Sequence, residues 1–182
     1  MKTTTPATVD DLYRVPEDGK AELVNGELVL MSPTGALPSR ASAAIYISLR
    51  GHERAAGGGL AYPDNAAFLV DLPHRRSFSP DAAFHRGTKP TMKFMEGAPV
   101  FAAEVRSEGD YGSKAEEAMA RKRADYFAAG TVVVWDVDLL GEDVVRVHRA
   151  GQGEPTIYRR GQRAEAEPAV PGWRMPVDEL FE

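Results

Sequence analysis

Two acidic residues on consecutive predicted strands could do chemistry together. Asp81 follows Pro80 at the start of the segment DAAFHR, and Glu104 lies 23 residues later in the apolar segment PVFAAEVRS. The connection between them is long enough for the two strands to lie side by side, which would bring both carboxylates to one edge of a sheet. Mg²⁺ is often held by one or two carboxylates, and such an ion can polarise a phosphoryl oxygen and lower the pKa of a bound water.

Basic residues near these acids would complete such a site. Arg106 lies two residues after Glu104, on the same face of the strand. Lys122 lies in the middle of a predicted helix that could pack back onto the sheet, where its charge could stabilise negative charge developing on a phosphate. Glu22, on an earlier predicted strand, is a third candidate acid.

Each of these residues also has a purely structural interpretation. Burying a carboxylate and a guanidinium costs several kcal/mol unless they are paired or bind something, so Glu104 and Arg106 could form a structural ion pair. Asp81 could be a turn acid after Ser-Pro. Lys122 could belong to a solvated helix face, and Glu22 could be a surface charge.

Composition narrows the class of protein. The chain has 182 residues and a formal net charge of −5, which predicts one domain and argues against a generally basic nucleic-acid-binding surface, though a local basic face remains open. The chain has no cysteine, which excludes disulfides, thiolate zinc sites and a cysteine nucleophile. The sequence shows no signal-like segment, and no apolar run approaches the length of ~20 residues that a membrane helix needs. We therefore expect a soluble, cytoplasmic protein that does not bind membranes.

The first half of the chain alternates between hairpin and helix signals. A short helix capped by Thr8 precedes two alternating runs, 22–24 and 27–31, and the Asn25-Gly26 pair between them predicts a hairpin with a type I′ turn. A helical pattern follows over about 39–56 and ends at the GGG of 57–59. Strands are predicted over 60–63 and in the segments AAFLVDL and DAAFHR, with PHRRS as a turn.

The second half predicts a strand–helix–strand unit. A strand over 99–106 is followed by a helix over 113–129 and by the run TVVVWDVD, 131–138, whose β-branched residues are typical of a strand covered on both faces. Shorter strands are expected at 144–149, 155–159 and 162–166, with a short closing helix in PVDELFE. The predicted fold class is a mixed α/β domain. Trp135 and Trp173 are expected in the core, and the scattered histidines are expected to be structural or surface residues.

The order of these motifs resembles a known group of enzymes. An acid, then Pro-Asp, then Glu-x-basic on the next strand resembles the PD-(D/E)XK nucleases, which share the restriction-endonuclease-like fold. The chain also resembles, along nearly its whole length, a large family of short bacterial proteins described as restriction endonucleases. Four segments carry this resemblance in order: AELVNGELVLMSP, SPDAAF, PVFAAEVRS and KRADYFAAGTVVVWDVD.

The resemblance implies a central mixed sheet flanked by helices, a divalent metal, and hydrolysis of phosphodiester bonds in nucleic acid. By the same resemblance Asp81 and Glu104 would bind Mg²⁺ or Mn²⁺, with the Val105 carbonyl as a further ligand. Glu22 would be an accessory acid and Lys122 the helical lysine of the narrower family. Proteins of this fold and size are often dimers, so a homodimer acting on DNA is expected.

Arg106 departs from the pattern, because the wider superfamily has lysine at this position. Arginine keeps the positive charge and can bind a phosphate through two nitrogens, but it stays protonated and cannot act as a general base. It could therefore help Lys122 in catalysis, or pair with Glu104 and block the metal position. The sequence accordingly predicts an active endonuclease and leaves open an inactive nuclease-fold protein that binds nucleic acid or forms oligomers.

Overall fold

The computed structural model describes residues 5–16, 19–87 and 89–182, and its largest element is a six-stranded mixed sheet with the strand order β11-β10-β9-β8-β6-β3. Three smaller sheets pair β1 with β2, β12 with β13, and β4 with both β5 and β7. In chain order, the elements are α1 (Val9–Tyr13), β1 (Lys20–Val24), β2 (Glu27–Met31), α2 (Ala36–Ala56), β3 (Leu60–Tyr62), β4 (Phe68–Leu69), β5 (Ser77–Phe78), β6 (Ala82–His85), β7 (Met95–Glu96), β8 (Phe101–Val105), α3 (Ser113–Ala128), β9 (Val133–Val137), β10 (Val145–Arg149), β11 (Thr156–Tyr158), β12 (Arg163–Glu165), β13 (Arg174–Pro176) and a closing 3₁₀ helix (Val177–Phe181).

The predicted strand–helix–strand unit forms the centre of the large sheet. Strands β8 and β9 pair in parallel, with Glu104 opposite Asp136, and α3 makes the crossover between them. All five residues of β9 are buried, as its β-branched composition predicts. Strand β6 pairs antiparallel with the other side of β8, so the start of β6 and the end of β8 lie side by side.

The two faces of this sheet are covered by different helices. Ile45 and Leu49 of α2 pack in one apolar cluster with alternate β8 residues such as Ala103 and with Trp135 and Trp173, which stack with ring centroids 4.9 Å apart. Tyr126 of α3 packs in a second cluster on the opposite face. Because side chains alternate along a strand, Glu104 faces α3, whereas Ala103 and Val105 face α2.

The N-terminal hairpin has the predicted turn and is attached to the rest of the chain beside β5. Asn25 and Gly26 both have positive φ angles, 50° and 71°, which a type I′ turn requires. Val24 forms a β-bridge with Arg75, and the backbone N–H of Arg76 donates to the carbonyl of Leu23 at 2.9 Å. These bonds bring β1, including Glu22, against the sheet.

Several boundaries differ from those predicted. Helix α2 begins at Ala36 rather than near residue 39, because Pro38 is tolerated in the first turn of a helix. The seven-residue segment AAFLVDL pairs only at Phe68–Leu69. Strands β5, β7 and β13 were not predicted; β5 and β7 have two residues each, which is too short for a periodic pattern. None of the helices in the described part of the chain is long and apolar enough to cross a membrane.

Candidate active site

Asp81 and Glu104 lie next to each other at the point where β6 begins and β8 ends. The Asp81 Oδ2 atom accepts a hydrogen bond from the Val105 backbone N–H at 2.7 Å, which fixes its carboxylate at the end of β8. The Asp81 N–H donates to the Ala103 carbonyl at 3.0 Å, and its carbonyl accepts from the Ser42 hydroxyl of α2 at 3.0 Å. Backbone pairing thus brings the two acids together, as the sequence predicts.

Lys122 of α3 joins Glu104 to Glu22. Its Nζ lies 2.8 Å from Oε2 of Glu104 and 2.9 Å from Oε1 of Glu22. Burial alone would lower the pKa of Lys122, but the charges of Glu104 and Glu22 outweigh that effect and raise its pKa. Lys122 is therefore a protonated cation between two acids, and α3 directs it at the site rather than at solvent.

Glu22 is buried and held by three donors. Its Oε2 accepts from Nη1 of Arg75 at 2.5 Å, and its Oε1 accepts from the Ser79 backbone N–H at 2.9 Å as well as from Lys122. Burial favours the neutral acid, but the charges of Lys122 and Arg75 hold the pKa of Glu22 below its ordinary value. Arg75 is fixed in turn by Asp125 of α3, whose Oδ2 accepts from its Nε at 2.8 Å.

Two further contacts complete the surroundings of the acids. The Tyr126 hydroxyl donates to Oε1 of Glu104 at 2.6 Å, and burial raises the pKa of Tyr126 well above its ordinary value, so this hydroxyl keeps its proton. Lys20 of β1 lies 2.8 Å from Oδ1 of Asp81 and 2.7 Å from Oδ1 of Asp64. The two central acids thus each contact one lysine, Lys20 from β1 and Lys122 from α3.

The charges of this site are not balanced within it. Burial raises the pKa of Glu104, Lys122 opposes this, and the carboxylates of Asp81 and Glu22 raise it further. The contacts above join five acids to only three strongly basic side chains, which leaves a surplus of formal negative charge. The acids are Glu22, Asp64, Asp81, Glu104 and Asp125, and the bases are Lys20, Arg75 and Lys122.

The carboxylate oxygens of Asp81 and Glu104 are the type of ligand that a hard divalent cation takes. Across residues 5–16, 19–87 and 89–182, no group of three or more histidine, cysteine, aspartate or glutamate side chains is arranged to hold a metal ion. A cation at Asp81 and Glu104 would therefore need backbone, water or substrate oxygens as well. Mg²⁺ commonly binds in this way, through one or two carboxylates with water and phosphate.

Comparison with protein families decides the classification. The model of the Uma2 family, described as "Putative restriction endonuclease", matches residues 8–178. The chain belongs to the Uma2 family. The matched range spans the site, and the match supports a nuclease as the general class of function.

Comparison with solved structures agrees with this Uma2 assignment at the level of the fold. The chain is similar to a protein from Anabaena variabilis ATCC 29413, described as a putative nuclease belonging to DUF820, with 16% identity and a TM-score of 0.75 over 97% of this chain and 98% of that one. No curated protein matches the chain. The fold of this Uma2 member is thus the restriction-endonuclease-like one that the sequence predicts.

Arg106 contacts other acids than Glu104 in this Uma2 protein. Its Nε and Nη2 donate to the two carboxylate oxygens of Asp136, each at 2.7 Å, and its remaining contacts are with Glu116 of α3. Asp136 lies on β9 directly opposite Glu104. Arg106 can therefore share a strand face with Glu104 and still pair with Asp136 on the next strand. Arg106 does not occupy the space between Glu104 and Asp81.

Five residues of this Uma2 site were not singled out from the sequence as site residues: Lys20, Asp64, Arg75, Asp125 and Tyr126. Lys20 precedes Glu22 by two positions on one strand, so alternation places both side chains on one face, and this signal could have revealed it. Tyr126 follows Lys122 by four residues and shares its helix face. Arg75 lies in the segment predicted as a turn, where neither spacing nor periodicity indicates a buried guanidinium.

Proposed function

We propose that this chain is a divalent-metal-dependent endonuclease that hydrolyses phosphodiester bonds in nucleic acid, with DNA as the favoured substrate. The observation that carries the proposal is the arrangement of Asp81, Glu104 and Lys122: two carboxylates meet at adjacent strand ends, and a protonated lysine contacts one of them at 2.8 Å. In a member of the Uma2 family, this combination favours phosphodiester hydrolysis over a purely structural ion-pair network.

Asp81 and Glu104, with the Val105 carbonyl, would hold Mg²⁺ or Mn²⁺. When bound, such an ion polarises a phosphoryl oxygen and lowers the pKa of a bound water. Lys122 stays protonated, so its role is to stabilise negative charge on the phosphate or to orient the attacking water, and not to remove a proton. Glu22 holds Lys122 in place at 2.9 Å, and Tyr126 orients the Glu104 carboxylate at 2.6 Å.

For Arg106 we propose an indirect part in catalysis. Its guanidinium is occupied by Asp136 and Glu116, so it has little freedom to bind a phosphate. The same contacts join the end of β8 to α3 and β9. Arg106 would then position the end of the strand that carries Glu104 and Val105.

The test is cleavage of supercoiled plasmid DNA with Mn²⁺, with Mg²⁺, and with EDTA. We expect nicking with either metal ion, none with EDTA, and loss of nicking in Asp81→Asn, Glu104→Gln and Lys122→Met. Arg121→Gln is the matched control for Lys122→Met, because Arg121 is its neighbour on α3 and its side chain is 71% exposed. Equal activity of Lys122→Met and Arg121→Gln would refute the assigned role of Lys122.

One observation favours a second function, nucleic-acid binding without cleavage. Ammonium groups already contact both proposed metal ligands, Lys20 at Asp81 and Lys122 at Glu104. If these ammonium groups keep metal ions out, the wild-type chain binds DNA equally with Mn²⁺ and with EDTA and never nicks it.

We also propose a homodimer, by analogy with nuclease-fold proteins of this size. Light scattering would then give twice the 19.8 kDa of the chain.

A further inference from the structure

A group of basic side chains lies beside the acidic site, on the neighbouring strands of the same sheet face. Glu104 of β8 is opposite Asp136 of β9, and Asp136 is opposite Arg146 of β10, so these three residues form one row across the sheet. Strands are spaced about 4.8 Å apart, which puts the Arg146 backbone about 10 Å from that of Glu104. Arg123 is the residue after Lys122 on α3, and its charge acts on Asp136 and on His148 of β10.

Most carboxylate oxygens near this group are occupied by other donors, and Oδ2 of Asp138 forms a long ion pair with Nη1 of Arg146 at 3.6 Å. Both Asp136 oxygens accept from Arg106 at 2.7 Å. The Oδ1 atom of Asp138 accepts from the Tyr111 hydroxyl and from the backbone N–H groups of Leu140 and Gly141, all at 3.0 Å. The remaining acid near Arg123, Glu116, is the second partner of Arg106.

Two guanidinium groups are consequently left without a bonded acceptor. Arg146 and Arg123 form no hydrogen bond to any residue of the described chain, and the closest carboxylate oxygen to Nη1 of Arg146 is Oδ2 of Asp138 at 3.6 Å. The side chain of Arg146 is 27% exposed and Arg123 is also partly exposed, so each side chain has a part that faces solvent, although Nη1 of Arg146 is itself buried. The Nε2 atom of His148, on which both arginine charges act, is buried and has no hydrogen-bond partner among the described residues.

We propose that Arg123, Arg146 and His148 form a phosphate-binding subsite. The subsite would hold a phosphate that is not cleaved, in the same nucleic-acid strand that is cleaved at Asp81 and Glu104. This inference rests on the proposed function. Arginine suits the task because its planar group binds phosphate oxygens through two nitrogens.

The first test measures DNA binding separately from cleavage. A labelled oligonucleotide duplex is titrated by fluorescence anisotropy in the non-cleaving Glu104→Gln background, over a series of salt concentrations. Adding Arg123→Gln and Arg146→Gln should weaken binding about ten- to a hundredfold and reduce the slope of log K against log salt by about 1, because one phosphate contact is lost. Arg121→Gln removes the same charge from the exposed side of α3 and should leave the slope unchanged.

Equal weakening by Arg121→Gln and by Arg123→Gln would overturn the inference and leave the proposed nuclease function intact. Arg123→Lys and Arg146→Lys, which keep the charge, should recover part of the affinity; failure to do so in folded variants would also count against a phosphate contact. Thermal melting of each variant identifies those that fail to fold.

The second test uses inorganic phosphate on the wild-type chain and needs no substitution. Phosphate should shift the NMR resonances of His148 and raise its pKa, while those of His52 on α2 stay unchanged. An unaffected His148 would overturn the subsite. If the wild-type chain binds no oligonucleotide but phosphate still shifts His148, the proposed function fails while the anion-binding subsite stands.

Discussion

Glu22→Gln tests whether the buried ion pairs organise the site. Glu22 is 4% exposed and accepts hydrogen bonds from Arg75, Ser79 and Lys122. A glutamine has nearly the same shape, but it removes the negative charge between two cations. The substitution therefore leaves Arg75 and Lys122 partly uncompensated in the protein interior without creating a cavity.

The expected cost follows from the contacts that remain. Removing one partner of a buried ion pair destabilises a protein by about 3–5 kcal/mol. Arg75 keeps Asp125 at 2.8 Å and Lys122 keeps Glu104 at 2.8 Å, so we expect a loss near the lower end, about 3 kcal/mol. With a urea dependence of about 2 kcal/mol/M, the unfolding midpoint should fall by about 1.5 M.

The assay is equilibrium urea unfolding of the wild type, Glu22→Gln and Glu27→Gln. Glu27 is exposed on the other strand of the same hairpin, so its substitution controls for the loss of one charge. The pKa of Glu22 is held below its ordinary value in the folded state, so its stabilisation is present above about pH 4.3 and is lost as the pH falls through the folded-state pKa. Equal losses for Glu22→Gln and Glu27→Gln at pH 7, or a Glu22→Gln effect that persists unchanged at pH 3, would refute the reasoning.

Three further substitutions or titrations test other parts of the site. Tyr126→Phe removes the donor that lies 2.6 Å from Glu104, and urea unfolding should show a loss of about 1–3 kcal/mol; an unchanged midpoint would contradict this contact. Lys20→Met removes the ammonium that competes for Asp81, so calorimetry should show Mn²⁺ binding several-fold more tightly, whereas weaker binding would oppose the account. Burial, with Arg123 adding to it, lowers the pKa of His148 from 6.5 to about 4. Since the unfolded state then binds more protons, stability should fall as the pH drops from about 6.5 towards 4, and His148→Gln should reduce this dependence in pH-dependent unfolding.

Local patterns predict the elements that position the acids. The Asn25-Gly26 pair specifies the hairpin turn, and the apolar strands on either side of α3 specify a parallel pair. These two motifs are enough to place Glu22 on a hairpin strand and Glu104 at a central strand end. The helical position of Lys122 then indicates a side chain that can reach the sheet, where it contacts Glu104.

Residues that depend on tertiary packing could not be predicted in the same way. Arg75 is buried only because β1 packs beside the segment that carries it, and nothing in that segment indicates the bridge to Val24. Arg106 shares a strand face with Glu104. Whether its ion-pair partner is Glu104 or Asp136 depends on which carboxylate offers both oxygens to the guanidinium. Alternation along one strand cannot distinguish those acids, because they lie on neighbouring strands at the same height.

The most direct measurement of the central claim is a crystal of the wild-type chain soaked in Mn²⁺ and examined at a wavelength where manganese scatters anomalously. We expect an anomalous peak in contact with the carboxylates of Asp81 and Glu104, with the Lys20 ammonium displaced from Asp81. A structure that keeps Lys20 on Asp81 and Lys122 on Glu104, with no anomalous peak at either carboxylate under saturating Mn²⁺, would contradict it.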